Sequence, residues 1–221
     1  DVKFDEKQIE EGKNFANKIY NAARFRMMQG EATTDPAPKF SAVHIDILAK
    51  LKELHTTVAE GLGKYEFNTY TQALYSFFWN EYCSLFLEAV KNDLRDGDPA
   101  VKNATLYTID TVLRHYLALL SPIMPHIAEE LWQSLGFAAR YEGKPLMSTP
   151  LPQAEALLAG LDETEISKAR ALSTALYETA NRARNLKAEY NLATNKKVRF
   201  ILKPGALPLT DDLLARLALL A

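Results

Sequence analysis

Residues 12–25 read GKNFANKIYNAARF, a stretch that predicts a helix with two unlike faces and so decides how the chain around it must fold. At 3.6 residues per turn, one face is mostly small or apolar and lets another helix approach closely. Its members are Ile9, Gly12, Ala16, Ile19, Ala23 and Met27. The other face is polar with one aromatic ring among the polar groups. Its members are Asn14, Asn17, Lys18, Asn21 and Phe25, with Arg24 at the border.

The polar face differs from an ordinary solvated face, which carries Glu, Lys and Gln. Amide and guanidinium groups hydrogen-bond to the edges of bases, and an exposed ring is a surface on which a base can stack. The face therefore suggests a contact with nucleic acid. The alternative is structural: the asparagines cap turns and Phe25 packs against a neighbouring helix.

The rest of the chain reads as further helices punctuated by proline and glycine. The first helix is predicted over about 5–29 and is followed by a loop over Thr33–Pro38. A second helix follows, and it is predicted to end at Gly61 and Gly63. The third, over about 68–94, is the most aromatic and is expected to be central, with Phe78 buried. Glu81 lies inside its apolar arc, so we expect an internal ion pair or hydrogen bond for this carboxylate.

Local start and stop signals place the later helices. Asp98 and Pro99 begin a fourth helix, and Pro125 begins a short one through Leu135 that should bury Trp132. Asp162 and Glu165 have capping-box spacing before a long helix. Its inner seam is predicted from a three-four pattern of spacing. The seam residues are Ala169, Leu172, Leu176, Thr179, Ala183, Leu186 and Tyr190.

The C-terminal part has a different pattern. Val198–Leu202 alternates and predicts a strand, Pro204 and Gly205 end it, and Thr210 can cap a last helix. The predicted fold class is all-α: an antiparallel helical bundle over 1–190, with a small truncated α/β appendage over 191–221. Because one strand cannot stand alone, its partner is expected outside this chain or within the appendage.

Composition gives the broad limits. The 221 residues are 48% hydrophobic and 24% charged, which is an ordinary globular balance. The net charge of −2 is unevenly distributed: residues 164–203 carry +6 and the rest −8. That excess can hold a phosphate backbone or form a solvated face. One cysteine excludes an internal disulfide and fits a reducing cytoplasm. No segment reads as a membrane span, and the chain is expected to be a piece of a larger protein.

Catalytic and metal-binding signatures are weak. His126 and Glu130 lie about one turn apart, but no HExxH or CxxC spacing accompanies them, so no metal site is expected. No glycine-rich phosphate loop or nucleophile elbow is present in the sequence. The expectation is a recognition module with no catalytic residues and no cofactor of its own.

The first helix resembles the N-F-x-N-K-x-W-N-A-x-R-F helix that opens the anticodon-binding domain of valyl-tRNA synthetases, with Tyr20 at the tryptophan position. Four more segments resemble that family in the same order: Tyr65–Leu74, Phe77–Lys91, Leu119–Trp132 and Asn185–Lys197. The Leu119–Trp132 segment is shared with leucyl and isoleucyl enzymes, so it does not separate the branches. The first helix, FWNEYC and KAEYN favour the valyl branch.

The resemblance implies a function in recognition of the tRNA anticodon loop. Asn14, Asn17, Lys18, Asn21, Arg24 and Phe25 would line the tRNA-binding surface. The ATP-site motifs HIGH and KMSKS of class I synthetases do not occur in this sequence. ATP and valine would therefore be bound by a catalytic domain elsewhere in the parent polypeptide. Two alternatives stay open: the same module of a leucyl or isoleucyl enzyme, and a structural bundle that docks a protein partner.

Overall fold

The computed structural model describes residues 6–30, 39–96, 98–193, 196, 198–203 and 210–221, with side chains omitted at 6–8 and 96. Throughout these residues the regular structure is helical, and none of them forms a strand. The α-helices are α1 (Glu6–Met27), α2 (Ala42–Gly63), α3 (Phe67–Ser76), α4 (Leu87–Ala89), α5 (Lys91–Asp96), α6 (Pro99–Leu120), α7 (Pro125–Ser134), α8 (Glu163–Glu189) and α9 (Asp211–Leu220). The predicted all-α bundle is confirmed. The predicted loop Thr33–Pro38 and the Pro204–Gly205 stop lie outside the described residues.

Short elements connect these helices. A π-helical segment, Phe77–Phe86, joins α3 to α4. Three 3-10 turns, Phe137–Tyr141, Leu146–Ser148 and Ala154–Leu158, lie between α7 and α8. No helix among the described residues is long and apolar enough to cross a membrane.

The core lies around the segment that the sequence predicted to be central. Phe78 and Trp132 are both 0% exposed, as predicted. The Phe78 ring lies 4.4 Å from the Tyr116 ring of α6. The Tyr116 hydroxyl donates to the carbonyl of Leu74 (3.2 Å), so α3 and α6 are joined by a buried hydrogen bond as well as by apolar packing.

The central helix, which consists of α3, the π-helical segment Phe77–Phe86 and α4, departs from the predicted α-helical winding in its middle. The N–H of Leu87 donates to the carbonyl of Tyr82, five residues back, and the Ser84 hydroxyl donates to the carbonyl of Trp79 (2.7 Å). A helix that widens to this spacing changes which side chains share a face. The widened segment buries Phe78 and Tyr82 and leaves Trp79 half-buried beside α1.

The buried face of α1 is rotated from the predicted one. Ile19 and Ala23 are buried as expected, but Ile9 and Met27 are 58% and 40% exposed, which corrects that prediction. Gly12, also predicted on the packing face, is exposed with the rest of residues 9–14, and one side of the helix is covered from Phe15 to Arg26. The residues actually buried there are Phe15, Ile19, Ala22, Ala23 and Arg26.

The predicted helix caps are confirmed. Asp98 accepts from the N–H of Ala100 (2.7 Å), with Pro99 at the first helical position. Asp162 and Glu165 form the reciprocal capping box of α8, with N···O distances of 2.8 and 3.1 Å. These caps satisfy backbone groups that a helix end leaves unpaired.

The seam of α8 is shorter than predicted. Ala169, Leu176 and Ala183 are buried, whereas Leu186 and Tyr190 are 45% and 74% exposed. Beyond Ala183 the helix buries no further side chain, although Arg184 still donates to the Leu220 carbonyl of α9. The three-four pattern therefore continues in the sequence where the helix has no buried face.

The predicted strand Val198–Leu202 is wrong, because these residues have no strand pairing. Ile201 is 89% exposed, so the alternating pattern buries no complete face. A strand is stable only when a neighbouring strand pairs with it, and the described residues supply none. The last helix is present as predicted, capped by the Thr210 hydroxyl (3.4 Å to the N–H of Leu213).

Helix α9 packs against α8, α4 and α5. Its Arg216 is 3% exposed and donates to the Ala89 carbonyl (3.0 Å) and to Asp93 (2.9 Å). The division of the chain into units of 1–190 and 191–221 stays a prediction.

Candidate nucleic-acid interface

The six residues predicted to contact RNA all lie on α1, and none is fully buried. Four are exposed: Asn14, Asn17, Asn21 and Arg24. Lys18 and Phe25 are half-buried, and Phe25 packs partly against the core. Because three amides, a guanidinium and a partly open ring share one helix, their polar groups can reach one ligand. That they contact RNA stays a prediction.

A groove lies between α1 and the central helix, and Lys18 is among the residues that line it. The Lys18 ammonium lies 4.5 Å from the centre of the Trp79 ring. A cation in this position is attracted by the negative face of the ring. The contact holds the lysine on the groove side of α1.

Phe25 borders a recess of about 260 Å³ at one end of this groove. The recess is lined by Lys18, Asn21, Ala22, Phe25, Cys83, Leu87, Glu88 and Lys91. Lys18 and Asn21 supply hydrogen-bond donors around an apolar floor, whereas the Lys91 ammonium is paired with the Glu88 carboxylate at 2.6 Å. Burial raises the pKa of the Cys83 thiol to about 12, so the floor stays neutral and unreactive near pH 7.

Two aromatic residues of the groove were missed by the sequence reasoning. Tyr75 is 42% exposed and stacks on Trp79, with ring centres 5.5 Å apart and an interplanar angle of 13°. Their spacing of four residues on the polar side of the central helix was the available signal. It was hidden because the same helix carries many core aromatics.

Arg26 is not part of the exposed surface of α1, although it lies only two residues from Arg24. It is 8% exposed, and its guanidinium donates to both carboxylate oxygens of Asp110 (2.6 and 2.8 Å) and to the carbonyl of Gly30 (2.6 Å). Such a bidentate pair fixes α1 against α6. Arg26 is therefore structural.

Glu81 has the internal ion pair that the sequence led us to expect. Its carboxylate lies 2.8 Å from the ammonium of Lys50, which also pairs with Asp46 at 2.8 Å. The Lys50 ammonium further lies 5.3 Å from the centre of the Tyr177 ring of α8. This cluster ties α2, the central helix and α8 together.

The basic segment 164–203 is only partly free to bind an anion. Arg170 pairs with Glu53 of α2 at 2.5 Å, and Arg184 donates to the Leu220 carbonyl of α9 at 2.5 Å. Lys168 and Arg182 are exposed, and Lys197 lies outside the described residues. Helices α1 and α8 pack on different neighbours: α1 on α6, α7 and Phe77–Phe86, and α8 on α2 and α9.

The buried histidines belong to the core. His55 Nε2 and His115 Nδ1 lie 3.0 Å apart, and burial lowers the pKa of both rings. Burial, reinforced by the charge of Arg216, also lowers the pKa of His44 to about 3. Within the part of the chain that the structure describes, no group of three or more His, Cys, Asp or Glu side chains could hold a metal ion.

Comparison with known proteins agrees with this fold. The family model of the anticodon-binding domain of tRNA ligases matches residues 45–202, most of the bundle. The chain belongs to this family of anticodon-binding domains. The matched range begins after α1, so the α1 surface lies outside it.

Individual relatives carry a more particular name. The chain is 36% identical to a valine–tRNA ligase of Laribacter hongkongensis over 93% of its own length and 22% of that protein. It is 34% identical to the enzyme of Chromobacterium violaceum, over 98% of the chain and 24% of that protein. It is 33% identical to the valine–tRNA ligase of Nitratidesulfovibrio vulgaris, over 93% of the chain and 23% of that protein. The chain therefore spans less than a quarter of the length of these three relatives.

Proposed function

We propose that this chain binds the anticodon stem-loop of a tRNA, specifically valine tRNA, as the recognition module of a valyl-tRNA synthetase. The observation that carries the proposal is the α1 surface. It places three amides, Arg24 and the open edge of Phe25 beside a groove that Lys18 lines. Family membership and the valine–tRNA ligase relatives support it.

The mechanism would be recognition without chemistry. Unstacked loop bases are read by stacking on aromatic rings and by hydrogen bonds to their edges. Phe25 would stack one base, Arg24 would contact a base edge or a phosphate, and Lys18 would contact a phosphate. The asparagine amides can both donate and accept, which suits them to base edges.

The remaining steps would belong to other parts of the protein. A catalytic domain in the same polypeptide would bind ATP and valine and join valine to its tRNA in the cytoplasm. The present chain, incubated with ATP and valine, should show no pyrophosphate exchange above the blank. Clear exchange would contradict the division of labour proposed here.

The test is tRNA binding by the protein at its natural length. Phe25→Ala should weaken binding of valine tRNA by about 1–3 kcal/mol, because one base loses its stacking partner. Phe40→Ala is the matched control, since Phe40 is 38% exposed and packs against His44 and Tyr107, outside the groove. The surface assignment fails if Phe25→Ala and Phe40→Ala bind alike.

Competition separates the remaining possibilities. Unlabelled valine tRNA should displace labelled valine tRNA at lower concentration than leucine or isoleucine tRNA does. Equal displacement by leucine or isoleucine tRNA would point to those branches. If wild-type protein binds no tRNA, the bundle is a protein-docking module instead.

A further inference from the structure

An aromatic row continues the groove beyond the recess at Phe25. Tyr75 and Trp79 stack on each other, and the Tyr75 ring lies 4.8 Å from the ring of Phe15 on α1. At the other end of the row, the Lys18 ammonium lies over the Trp79 ring. Because Lys18 also lines the recess at Phe25, the row adjoins that recess on the side nearer the start of α1.

The two ends of the groove are separated by a distance that suits an RNA loop. Lys18 and Phe25 lie seven residues apart on α1, which is about 10 Å along the helix axis. Stacked nucleotides advance by about 3.4 Å each, so this span corresponds to about three nucleotides. One short single strand can therefore reach both ends.

We propose that Tyr75 and Trp79 form a second base-stacking site, for another base of the same RNA loop whose first base stacks on Phe25. This inference rests on the proposed function and adds a second place at which a base is bound. Base stacking on aromatic side chains tolerates any base. The site would add affinity and fix the direction of the strand along α1.

Lys18 explains how the ring becomes available. In the free protein its ammonium covers the Trp79 ring, a contact that is weak at an exposed position. A lysine has a flexible four-carbon stem, so the ammonium can move from the ring to a phosphate of the incoming strand. The base then takes the place of the ammonium, and two stronger contacts replace one weak contact.

Beside Tyr75, next to the position over Trp79, there is also room for a neighbouring nucleotide. A recess of about 460 Å³ opens there between α1, α3 and the turn after α6. Its floor is apolar, formed by residues such as Phe15 and Leu120, and Thr71 and Gln72 are exposed at its edge. The Gln72 amide can hydrogen-bond to a base edge.

The experiment uses the protein at its natural length and a 17-nucleotide RNA hairpin with the valine anticodon loop. 2-Aminopurine replaces each loop base in turn, because stacking quenches its fluorescence. Trp79→Ala and Tyr75→Ala should each weaken binding about tenfold and abolish the quench at one loop position. The quench at the position served by Phe25 should persist. Trp79→Phe, which keeps a ring, should restore most of the affinity.

Salt dependence separates stacking from charge. The slope of log K against log salt should not change in Trp79→Ala, because the ring neutralises no phosphate. In Lys18→Ala the slope should decrease by about one. Tyr107→Ala is the control, since Tyr107 is 49% exposed and lies outside the groove. Circular dichroism and thermal unfolding verify that each variant is folded.

Each outcome decides the question. If Phe25→Ala abolishes one quench while Trp79→Ala and Tyr75→Ala bind like wild type, the second site does not exist and the proposed function stands. If the wild-type protein does not bind the hairpin, both proposals fail. Weakening by Tyr107→Ala equal to that by Tyr75→Ala would also overturn the second site.

Discussion

The α1 surface and the basic segment 164–203 are both rich in cations, but the structure arranges the two differently. On α1, exposed Arg24 and half-buried Lys18 stand among amides and aromatic rings. In the basic segment, Arg170 and Arg184 are bonded to neighbouring helices, while Lys168 and Arg182 are exposed. Net charge located the second region, whereas the mixture of amides, cations and a ring on one helix face located the first. Under the proposed function, the α1 surface would read the base sequence and the basic segment would hold phosphate.

The largest expected effect contrasts two arginines two positions apart on α1. Arg26→Ala leaves Asp110 in a largely buried site without its partner and should lower the free energy of unfolding by about 3–5 kcal/mol. Arg24→Ala, at an exposed position, should change it by less than about 0.5 kcal/mol. Urea unfolding measures both. Equal losses would mean that α1 is not divided into a structural side and a binding side.

The next effect is a pH dependence of stability, which comes from buried histidines of the core and not from either cationic region. The pKa of His44 and that of His115 are lowered to about 3, mainly by burial, so the unfolded chain binds protons more readily than the folded chain. Stability should be complete above the unfolded pKa of 6.5 and decrease as pH falls towards 3. At pH 5, which is 1.5 units below that value, each of these two rings should lower the free energy of unfolding by about 2 kcal/mol.

The measurement is urea unfolding at pH 7.5 and pH 5, with His44→Asn as the comparison. This variant keeps a hydrogen-bonding group near Ser41, whose N–H donates to His44 Nδ1, but cannot titrate. Its stability should vary less with pH, by about 2 kcal/mol. An unchanged pH dependence would show that His44 titrates normally in the folded protein.

RNA binding should distinguish the two cationic regions directly. Arg24→Ala should reduce affinity by about 1–3 kcal/mol and relax discrimination at one anticodon position if it reads a base edge. Arg182→Ala should weaken binding equally for all tRNAs, with a salt slope smaller by about one. Titrations of valine tRNA and an anticodon-swapped tRNA at two salt concentrations measure both. Loss of discrimination in Arg182→Ala alone would reverse the roles assigned here.

The smallest expected effect concerns the contact between the basic segment and α2. The Arg170–Glu53 pair is exposed, with side chains 39% and 55% accessible. A double-mutant cycle with Arg170→Ala and Glu53→Ala should therefore give a coupling energy of about 0.2–1 kcal/mol. A much larger value would mean that this pair, and not apolar packing, holds α8 on α2.

The features that depend on local interactions could be predicted from the amino-acid sequence alone. The helical class, the caps at Asp98 and Asp162, and the exposed polar face of α1 follow from spacing and from backbone groups a few residues apart. The likeness to anticodon-binding domains of the valyl type also came from contiguous segments, and the family match confirmed the anticodon-binding domain of tRNA ligases. Burial of Phe78 and Trp132 was predictable because each lies on a strongly apolar helical face.

The features that depend on partners distant in sequence became visible only in the folded protein. Arg26 is buried because it pairs with Asp110, which lies 84 residues away in sequence. Glu81 likewise pairs with Lys50, 31 residues away. Val198–Leu202 alternates like a strand yet forms none, because a strand needs hydrogen-bonding partners that spacing cannot supply. The stacked Tyr75–Trp79 pair also depends on tertiary packing. The sequence pattern predicts which residues share a helix face, but only the packing of neighbouring helices determines which face stays open to solvent.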